Sequence, residues 1–367
     1  MGVEPKQRLL SLDTLRGFDM FWIIGGDSLF RALADLTNWK WADWWGVQLD
    51  HVPWAGFRAY DLIFPLFMFI SGVAMPYALT AKLEQGVPKT HLVLKVIRRA
   101  VLLVFLGMVY NGLLKLDFAN QRVASVLGQI GVAYLIAALI VLNCRTFKAR
   151  LLWLLGILSG YAAVQLLIPV PGYGAGVLTP EGSINGYIDR MLLPGRFYGG
   201  TFDPEGLLCI VSASGITLMG AFAGLVLRTD RFGEYRKTAI LAGCGIALTL
   251  MGGILGQWYP IIKAAWTTTF NLLTGGISLL LLALFYLVID VWKARRWAFF
   301  FRVIGLNSIT IYIGVRMINF GATSDFLFGG VAPLCGAFSP LVMIAGTLCV
   351  EWLFLWFLYR KKVFLRL

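Results

Sequence analysis

Ten long apolar runs restrict the fold of this sequence more than any other feature. A bilayer core about 30 Å thick is crossed by about 20 apolar helical residues. The runs have that length and lie near residues 15–36, 57–80, 99–115, 123–143, 151–169, 207–227, 238–257, 265–290, 298–319 and 339–359. They are continuous rather than alternating, which disfavours a β-barrel. With 59% hydrophobic and only 14% charged residues, the chain is too apolar for an ordinary soluble domain. We predict an all-α polytopic membrane bundle of about ten transmembrane helices, one domain over residues 1–367.

The basic residues predict the orientation of this bundle. With the amino terminus inside, 23 of the 32 Lys and Arg residues lie in segments on that side. Because Lys and Arg accumulate in short cytoplasmic loops, both termini are predicted to be cytoplasmic. Two long connections, residues 37–56 and 170–206, are then extracytoplasmic loops. Contact with anionic inner-leaflet lipids explains the net charge of +13, so no nucleic acid is expected as a partner.

One of the two histidines, His51, lies at the predicted outer face, just before the second span. Asp50 adjoins it, and Asp27 and Asp61 lie toward the outer ends of the first two spans. Charges inside a membrane cost about 2.5–3.5 kcal/mol, so they usually face a partner or a wet cavity. An imidazole beside a carboxylate can accept a proton or carry an acyl group. The alternatives are helix caps or arginine pairs for the acids, and hydrogen bonds to loop backbone for the histidine.

Three further polar positions are candidates for binding. Asp203 and Glu205 precede the sixth span at its outer end, where helix capping is the alternative explanation. Asn307 enters the membrane from the inner face, where small polar residues also serve helix packing.

Metal chemistry is not expected from this sequence. The five cysteines are widely spaced, without Cys-x-x-Cys, and the histidines have no partner at ligand spacing. We therefore predict no metal site and no disulfide framework.

Six stretches in the same order resemble the transmembrane acyltransferases typified by heparan-alpha-glucosaminide N-acetyltransferase. They are SLDTLRGF at 11–18, HVPWAGFRAYDLIFPLFMFISG from 51, KVIRRAVLL at 95–103, RVASVLGQIGVAY at 122–134, INGYIDRMLL at 184–193 with FDPEGLL at 202–208, and LNSITIYIG at 306–314. The resemblance implies acetyl transfer from cytoplasmic acetyl-CoA, a co-substrate, to an amino sugar across the membrane. It also implies a bacterial member in the inner membrane.

The resemblance also implies roles for residues. The family's proposed active-site histidine falls on His51, as base or acetyl carrier, while a family asparagine falls on Asp27, a departure from the pattern. Asp27, Asp50 or Asp61 would orient the imidazole. The remaining expected roles are donor binding by Lys95, Arg98, Arg99 and Asn307, and acceptor binding by Trp54, Asp203 and Glu205.

Each of these binding roles has an alternative. Positive-inside anchoring accounts equally well for the basic residues at the inner rim, and an interfacial aromatic belt accounts for the tryptophans. The expected partners are the lipid bilayer, acetyl-CoA and an amino-sugar acceptor, and the prediction admits a homodimer. The runner-up function is a transporter for amino sugars or their oligomers.

Overall fold

A computed structural model of the chain describes residues 9–37 and 39–365 and consists of helices joined by loops. Sixteen α-helices occur in these ranges. Their bounds are α1 Leu10–Phe21, α2 Asp27–Leu36, α3 Lys40–Gln48, α4 Ile63–Val73, α5 Ala81–Glu84, α6 Lys89–Tyr110, α7 Val126–Asn143, α8 Phe147–Leu167, α9 Ile184–Leu192, α10 Leu207–Arg228, α11 Glu234–Leu255, α12 Thr268–Phe285, α13 Ala298–Leu306, α14 Ser308–Met317, α15 Phe320–Phe328 and α16 Ser339–Arg360. The predicted all-α class is confirmed. The two long connections are not purely loops, since they contain α3 and α9.

Seven helical segments of the described chain are long and apolar enough to cross a membrane, and the bent pair α13–α14 makes an eighth. The predicted count of ten is therefore not confirmed, for two physical reasons. Gly25, with φ +124°, interrupts the first run between α1 and α2, and neither helix alone is long enough. In α6, Lys95, Arg98 and Arg99 interrupt the apolar surface. The sides on which the termini lie stay a prediction.

The long helices form an inner group and an outer group. The spans containing α4, α7, α10 and α12 are mostly buried within the protein, whereas no more than 28% of those containing α8, α11 and α16 is buried, although they too are apolar enough to cross a membrane. Leu152, Trp153 and Ile254, for example, are more than half exposed. Lipid tails are the solvent that such a surface requires. The distribution of apolar side chains thus supports a multi-pass membrane protein.

Glycines allow two helix pairs, α1 with α13 and α4 with α10, to touch through their backbones. A Cβ added at Gly305 of α13 would lie 1.9 Å from the carbonyl oxygen of Asp13 in α1, and one at Gly17 would lie 1.7 Å from the carbonyl oxygen of Phe301. A Cβ added at Gly72 of α4 would lie 1.9 Å from the carbonyl oxygen of Thr217 in α10, and one at Gly220 would lie 2.0 Å from the carbonyl oxygen of Phe69. Small residues permit such close helix packing in membranes. The contacts with α10 fix α4, which follows directly after the helical turn Ala59–Leu62.

The bend between α13 and α14 is 72° and centres on Asn307. Its side-chain amide donates to the carbonyl oxygen of Val363 at 3.1 Å, and its carbonyl oxygen accepts from the backbone N–H of Leu365 at 3.4 Å. The buried amide therefore satisfies its hydrogen bonds with the carboxyl-terminal segment of the described chain.

Candidate active site

A cavity of about 500 Å³ opens at the end of the bundle where α4 begins, called here the His51 end. Apolar side chains of the inner helices form its deep part, including Phe67, Ile130 and Ile309. Polar and charged side chains surround its mouth: His51, Asp61, Arg122, Glu205 and Lys263. An apolar pocket with a few convergent polar groups is the usual form of a small-molecule site.

His51 and Asp61 form a hydrogen-bonded pair at the mouth of the cavity. The ring Nδ1 of His51 lies 2.7 Å from Oδ1 of Asp61. The other carboxylate oxygen of Asp61 accepts from the backbone N–H of Arg58 at 3.1 Å, at the start of the helical turn that leads into α4. A carboxylate can only accept, so Nδ1 carries the hydrogen in the neutral imidazole. The lone pair is then on Nε2, the nitrogen that can take a proton or an acyl group. The His51 side chain is 47% exposed, so reactants can reach it.

The structure does not bring the other two predicted acids to the imidazole. Asp50 accepts from the backbone N–H of His51 at 2.8 Å, but its side chain is 61% exposed and contacts no ring atom among the described hydrogen bonds. Asp27 is buried and forms an ion pair with Arg31, one helical turn further along α2. Of the three acids expected to orient His51, Asp61 alone contacts its ring in the described chain.

Lys263 is a site residue that the sequence did not indicate. Its Nζ lies 3.0 Å from Nδ1 and 3.3 Å from Nε2 of His51, and 3.4 Å from Oδ1 of Asp61. Burial lowers the pKa of Lys263, although the Asp61 carboxylate acts in the opposite direction. The loop carrying Lys263 pairs with the loop after His51, because the N–H of Gly56 donates to the carbonyl oxygen of Ile261 at 2.8 Å.

A second charged cluster, again involving a residue that the prediction omitted, lies across the mouth of the cavity. Arg122 binds both carboxylate oxygens of Asp203, at 2.8 Å through Nε and 2.6 Å through Nη2, and also binds Glu205. Burial opposes the charge of Arg122, but the hydrogen bonds and charges of the two acids raise its pKa. Burial raises the pKa of Glu205 to about 7, against the effect of Arg122.

The contacts of Asp203 and Glu205 include both ion pairs and the entry of α10. Both side chains bind Arg122, and Oδ1 of Asp203 also accepts from the backbone N–H of Glu205 at 3.0 Å. At the first residue of α10, the N–H of Leu207 donates to Oδ1 of Asp189 at 2.9 Å. Glu205 lines the cavity, whereas Asp203 lies behind it and holds Arg122 in place.

Trp54 lies on the His51 side of the cavity and has a fixed orientation. Its indole N–H donates to the carbonyl oxygen of Leu178 at 2.7 Å, and its ring packs edge-on against Phe202 with centroids 4.8 Å apart. Trp54 and Phe202 both line the cavity. Trp54 therefore presents a hydrogen-bonded aromatic ring to the cavity that His51 also lines.

The basic residues predicted to bind the donor divide into two groups. Lys95 and Arg99 lie near each other and near Lys82, and Arg99 stacks on the ring of Tyr134 at 4.2 Å. Arg98 is exposed, and none of the described contacts joins it to this cluster. Tyr110, at the other end of α6, lines the cavity, so Lys95 lies about 22 Å from it along the helix. Asn307 is engaged by the carboxyl-terminal segment, as described above.

Within the part of the chain that the structure describes, no three His, Cys, Asp or Glu side chains are grouped as a metal site would require. The charged and titratable groups at the cavity mouth are an imidazole, carboxylates, an ammonium and a guanidinium.

Known proteins with related sequences include two mammalian enzymes. A family described as a domain of unknown function (DUF5009) matches residues 8–112. Heparan-alpha-glucosaminide N-acetyltransferase from Mus musculus is 27% identical over 373 residues, which cover 86% of this chain and 55% of the relative. The protein of the same name from Homo sapiens is 28% identical over 363 residues, covering 84% and 52%. The chain thus spans about half the length of the curated relatives it matches.

Proposed function

Because the chain belongs to the family of heparan-alpha-glucosaminide N-acetyltransferase, we propose that it is a membrane acetyltransferase acting on an amino sugar of the glucosamine type. The observation that carries this proposal is the His51–Asp61 pair, joined at 2.7 Å, at the mouth of a cavity of about 500 Å³. The name of the relatives supplies the reaction class, and the pair supplies the group that the reaction needs.

The acetyl donor in the proposal is acetyl-CoA. The carbonyl carbon of its thioester forms a bond to the acceptor nitrogen, the carbon–sulfur bond breaks, and CoA leaves as a thiol. The amine must lose a proton in this exchange, and a neutral imidazole near neutral pH can take it. His51 acts either as this base or as a nucleophile that carries the acetyl group between donor and acceptor. Asp61 holds the ring in the tautomer that both routes need.

The acceptor in the proposal occupies the mouth of the cavity. Trp54 offers an apolar face of the kind on which a sugar ring stacks, and Glu205 offers a carboxylate to a cationic or hydrogen-bonding amino sugar. Asp203 contributes indirectly by holding Arg122. Asp50 and Asp27 are left with supporting roles, in the loop before α4 and in the pair with Arg31.

The donor in the proposal enters from the opposite end of the bundle. Lys95 and Arg99, with Lys82, form a cluster of like charges that an anion would relieve, so they suit the phosphates of CoA. We propose that α1–α2 and α6 also cross the membrane, which gives ten crossings with both termini cytoplasmic. A bacterial inner membrane fits this arrangement, with acetyl-CoA inside and the sugar outside. Arg98 and Asn307 are weaker candidates for donor binding because of their surroundings.

The test is acetyl transfer by the purified chain in lipid nanodiscs. Acetyl-CoA with a labelled acetyl group is supplied with a panel of amino sugars and their N-acetylated counterparts, and products are identified by mass. The proposal expects label on the amino sugars and stoichiometric release of CoA. Absence of transfer, together with exchange of labelled sugar across proteoliposomes, would instead establish the transporter alternative.

A further inference from the structure

Lys263 lines the cavity beside His51 and has no part in the proton transfer proposed above. Its Nζ contacts both nitrogens of the His51 ring and Asp61, and its side chain is only 19% exposed. Charged side chains rarely become this buried without a partner or a purpose. Asp61 provides one partner, but that carboxylate already accepts from the His51 ring and from the backbone of Arg58.

Resting on the proposed acetyl transfer, we propose that the Lys263 ammonium is a catalytic residue that stabilises the oxyanion formed at the acetyl carbonyl. When a nitrogen bonds to the carbonyl carbon, the π electrons of the C=O bond move to oxygen. Lys263 donates a hydrogen bond to that oxygen and keeps its own proton. The C=O bond then re-forms and the carbon–sulfur bond breaks. If the acceptor amine attacks directly, His51 takes its proton and passes it to the CoA sulfur. If Nε2 of His51 attacks, CoA leaves as a thiolate beside a positively charged acetylimidazole, and it takes the proton that the amine loses in the second transfer.

The position of the ammonium fits this role. A carbonyl carbon that His51 attacks must approach Nε2, and Nζ of Lys263 lies 3.3 Å from that nitrogen. Oxyanion donors act from about 2.7–3.1 Å, a range that a small movement of a lysine terminus covers. Lys263 also lines the cavity in which the thioester would lie. In the same place, an acceptor nitrogen activated by His51 would meet the carbonyl within reach of the same ammonium.

The loop of Lys263 is held in place by a separate set of buried groups. The three residues that follow Lys263 each have a backbone carbonyl oxygen that accepts a hydrogen bond from at least one side chain. Tyr161 and Gln165 donate to the oxygen of Ala265 at 2.7 and 2.9 Å. Ser212 donates to the oxygen of Trp266 at 2.6 Å, and the thiol of Cys209 lies 3.6 Å from that of Ala264. Catalytic groups are typically held in place by such hydrogen bonds from supporting side chains.

Trp266 supplies a further sign of constraint in this loop. Its φ is +45°, in the left-handed region that a bulky residue rarely adopts, yet its side chain is fully buried. Backbone strain persists only where the surrounding structure enforces it. The packing around Trp266 therefore restricts the loop that carries Lys263.

A pH dependence follows from the environment of Lys263. The titratable and charged groups facing it are His51 and Asp61 on one side and Glu205 with Arg122 on the other, and Tyr312 lines the deeper wall. Because burial lowers the pKa of Lys263, its proton is lost at a less alkaline pH than that of an ordinary lysine. The turnover number should fall as this proton is lost.

The test compares Lys263→Met, Lys263→Arg and the control Lys115→Met, each assayed for acetyl transfer over a pH series. Lys115 is an exposed lysine outside the cavity. We expect Lys263→Met to lower kcat by about 10²–10³-fold, as loss of an oxyanion donor does, with little change in the donor KM. Lys263→Arg, which keeps a charge that does not titrate, should recover part of the rate and extend activity to higher pH.

Two results would overturn the proposal for Lys263. The first is a kcat of Lys263→Met within about threefold of the unsubstituted protein. The second, which remains decisive if Lys263→Met does not fold, is a folded Lys263→Arg protein whose alkaline limit is unchanged. Both presuppose that the unsubstituted protein transfers acetyl groups. If it does not, the proposed function itself fails.

Discussion

Asp61→Asn separates the orienting role of Asp61 from simple burial of a carboxyl group. In the structure one oxygen of Asp61 accepts from the N–H of Arg58 at 3.1 Å and the other faces Nδ1 of His51 at 2.7 Å. An asparagine can keep the first bond through its oxygen, which turns its NH₂ group toward Nδ1. Nδ1 must then accept, the hydrogen moves to Nε2, and the nitrogen facing the reactants loses its lone pair.

The expected loss in kcat is large because the imidazole is in the wrong tautomer. General acid–base catalysis contributes about 10²–10⁴-fold, and the corresponding change beside the histidine of a serine protease costs about 10⁴-fold. We expect Asp61→Asn to lower kcat by about 10²–10⁴-fold, with the fold retained because the bond to Arg58 survives. CoA release is followed with a thiol reagent at saturating donor and sugar. Thermal unfolding of the same samples checks the fold.

Asp50→Asn is the matched control. The substitution removes one carboxylate at the same end of the protein. Asp50 accepts from the backbone N–H of His51, as an amide oxygen also can, and its ion pair with Arg58 is long, at 3.8 Å. Its activity should stay within about threefold of the unsubstituted protein. If Asp61→Asn behaves like Asp50→Asn, the argument from the tautomer is refuted.

Three further predictions concern the donor, the packing and the topology. Arg99→Ala should raise the acetyl-CoA KM by about 10- to 100-fold, because a charge-assisted contact is lost. Arg98→Ala, at an exposed position, should leave this KM unchanged. Equal effects of the two substitutions would mean that both arginines only orient the protein in the membrane. Gly305→Ala should lower the free energy of unfolding by about 1–3 kcal/mol, because its Cβ would lie 1.9 Å from the Asp13 carbonyl oxygen; an unchanged melting temperature would contradict the packing. With the native cysteines replaced by serine, a membrane-impermeant maleimide applied outside intact cells should label single cysteines at the exposed positions Asp43 and Ala175 but not at Gln85 or Arg231, and labelling at Gln85 would reverse the topology.

The helical class could be predicted because it depends on local composition. A run of about 20 apolar residues has few alternatives in a membrane, where every backbone N–H and C=O must be satisfied within the segment. The breaks were harder to predict. Gly25 looks like the neighbouring Gly26, yet it alone takes φ +124° in the first run. Asn307 is recognisable in the sequence as a polar residue within an apolar run. The bend between α13 and α14 is not, because the hydrogen-bond partners of Asn307 lie in the distant carboxyl-terminal segment.

The site could be predicted where its members lie close in sequence. His51 and Asp61 are ten residues apart, on either side of the entry into one helix, so their proximity followed from the position of the span. Lys263 is 212 residues from His51, and no pattern in a single sequence connects two such residues. Arg122 was likewise 81 residues from Asp203. Asp27 was expected near His51, but it pairs with Arg31, which lies only four residues away on the same helix.

His51→Ala shows whether the imidazole of His51 performs acetyl transfer. The matched control is His91→Ala, which removes the other histidine, an exposed one at the beginning of α6. Both variants are assayed for transfer of labelled acetyl from acetyl-CoA to the amino sugar that the unsubstituted protein prefers, with donor binding measured alongside. We expect His51→Ala to bind the donor normally and to lose at least about 10²-fold in transfer, while His91→Ala stays near normal. A His51→Ala protein that turns over at the rate of His91→Ala would contradict the account.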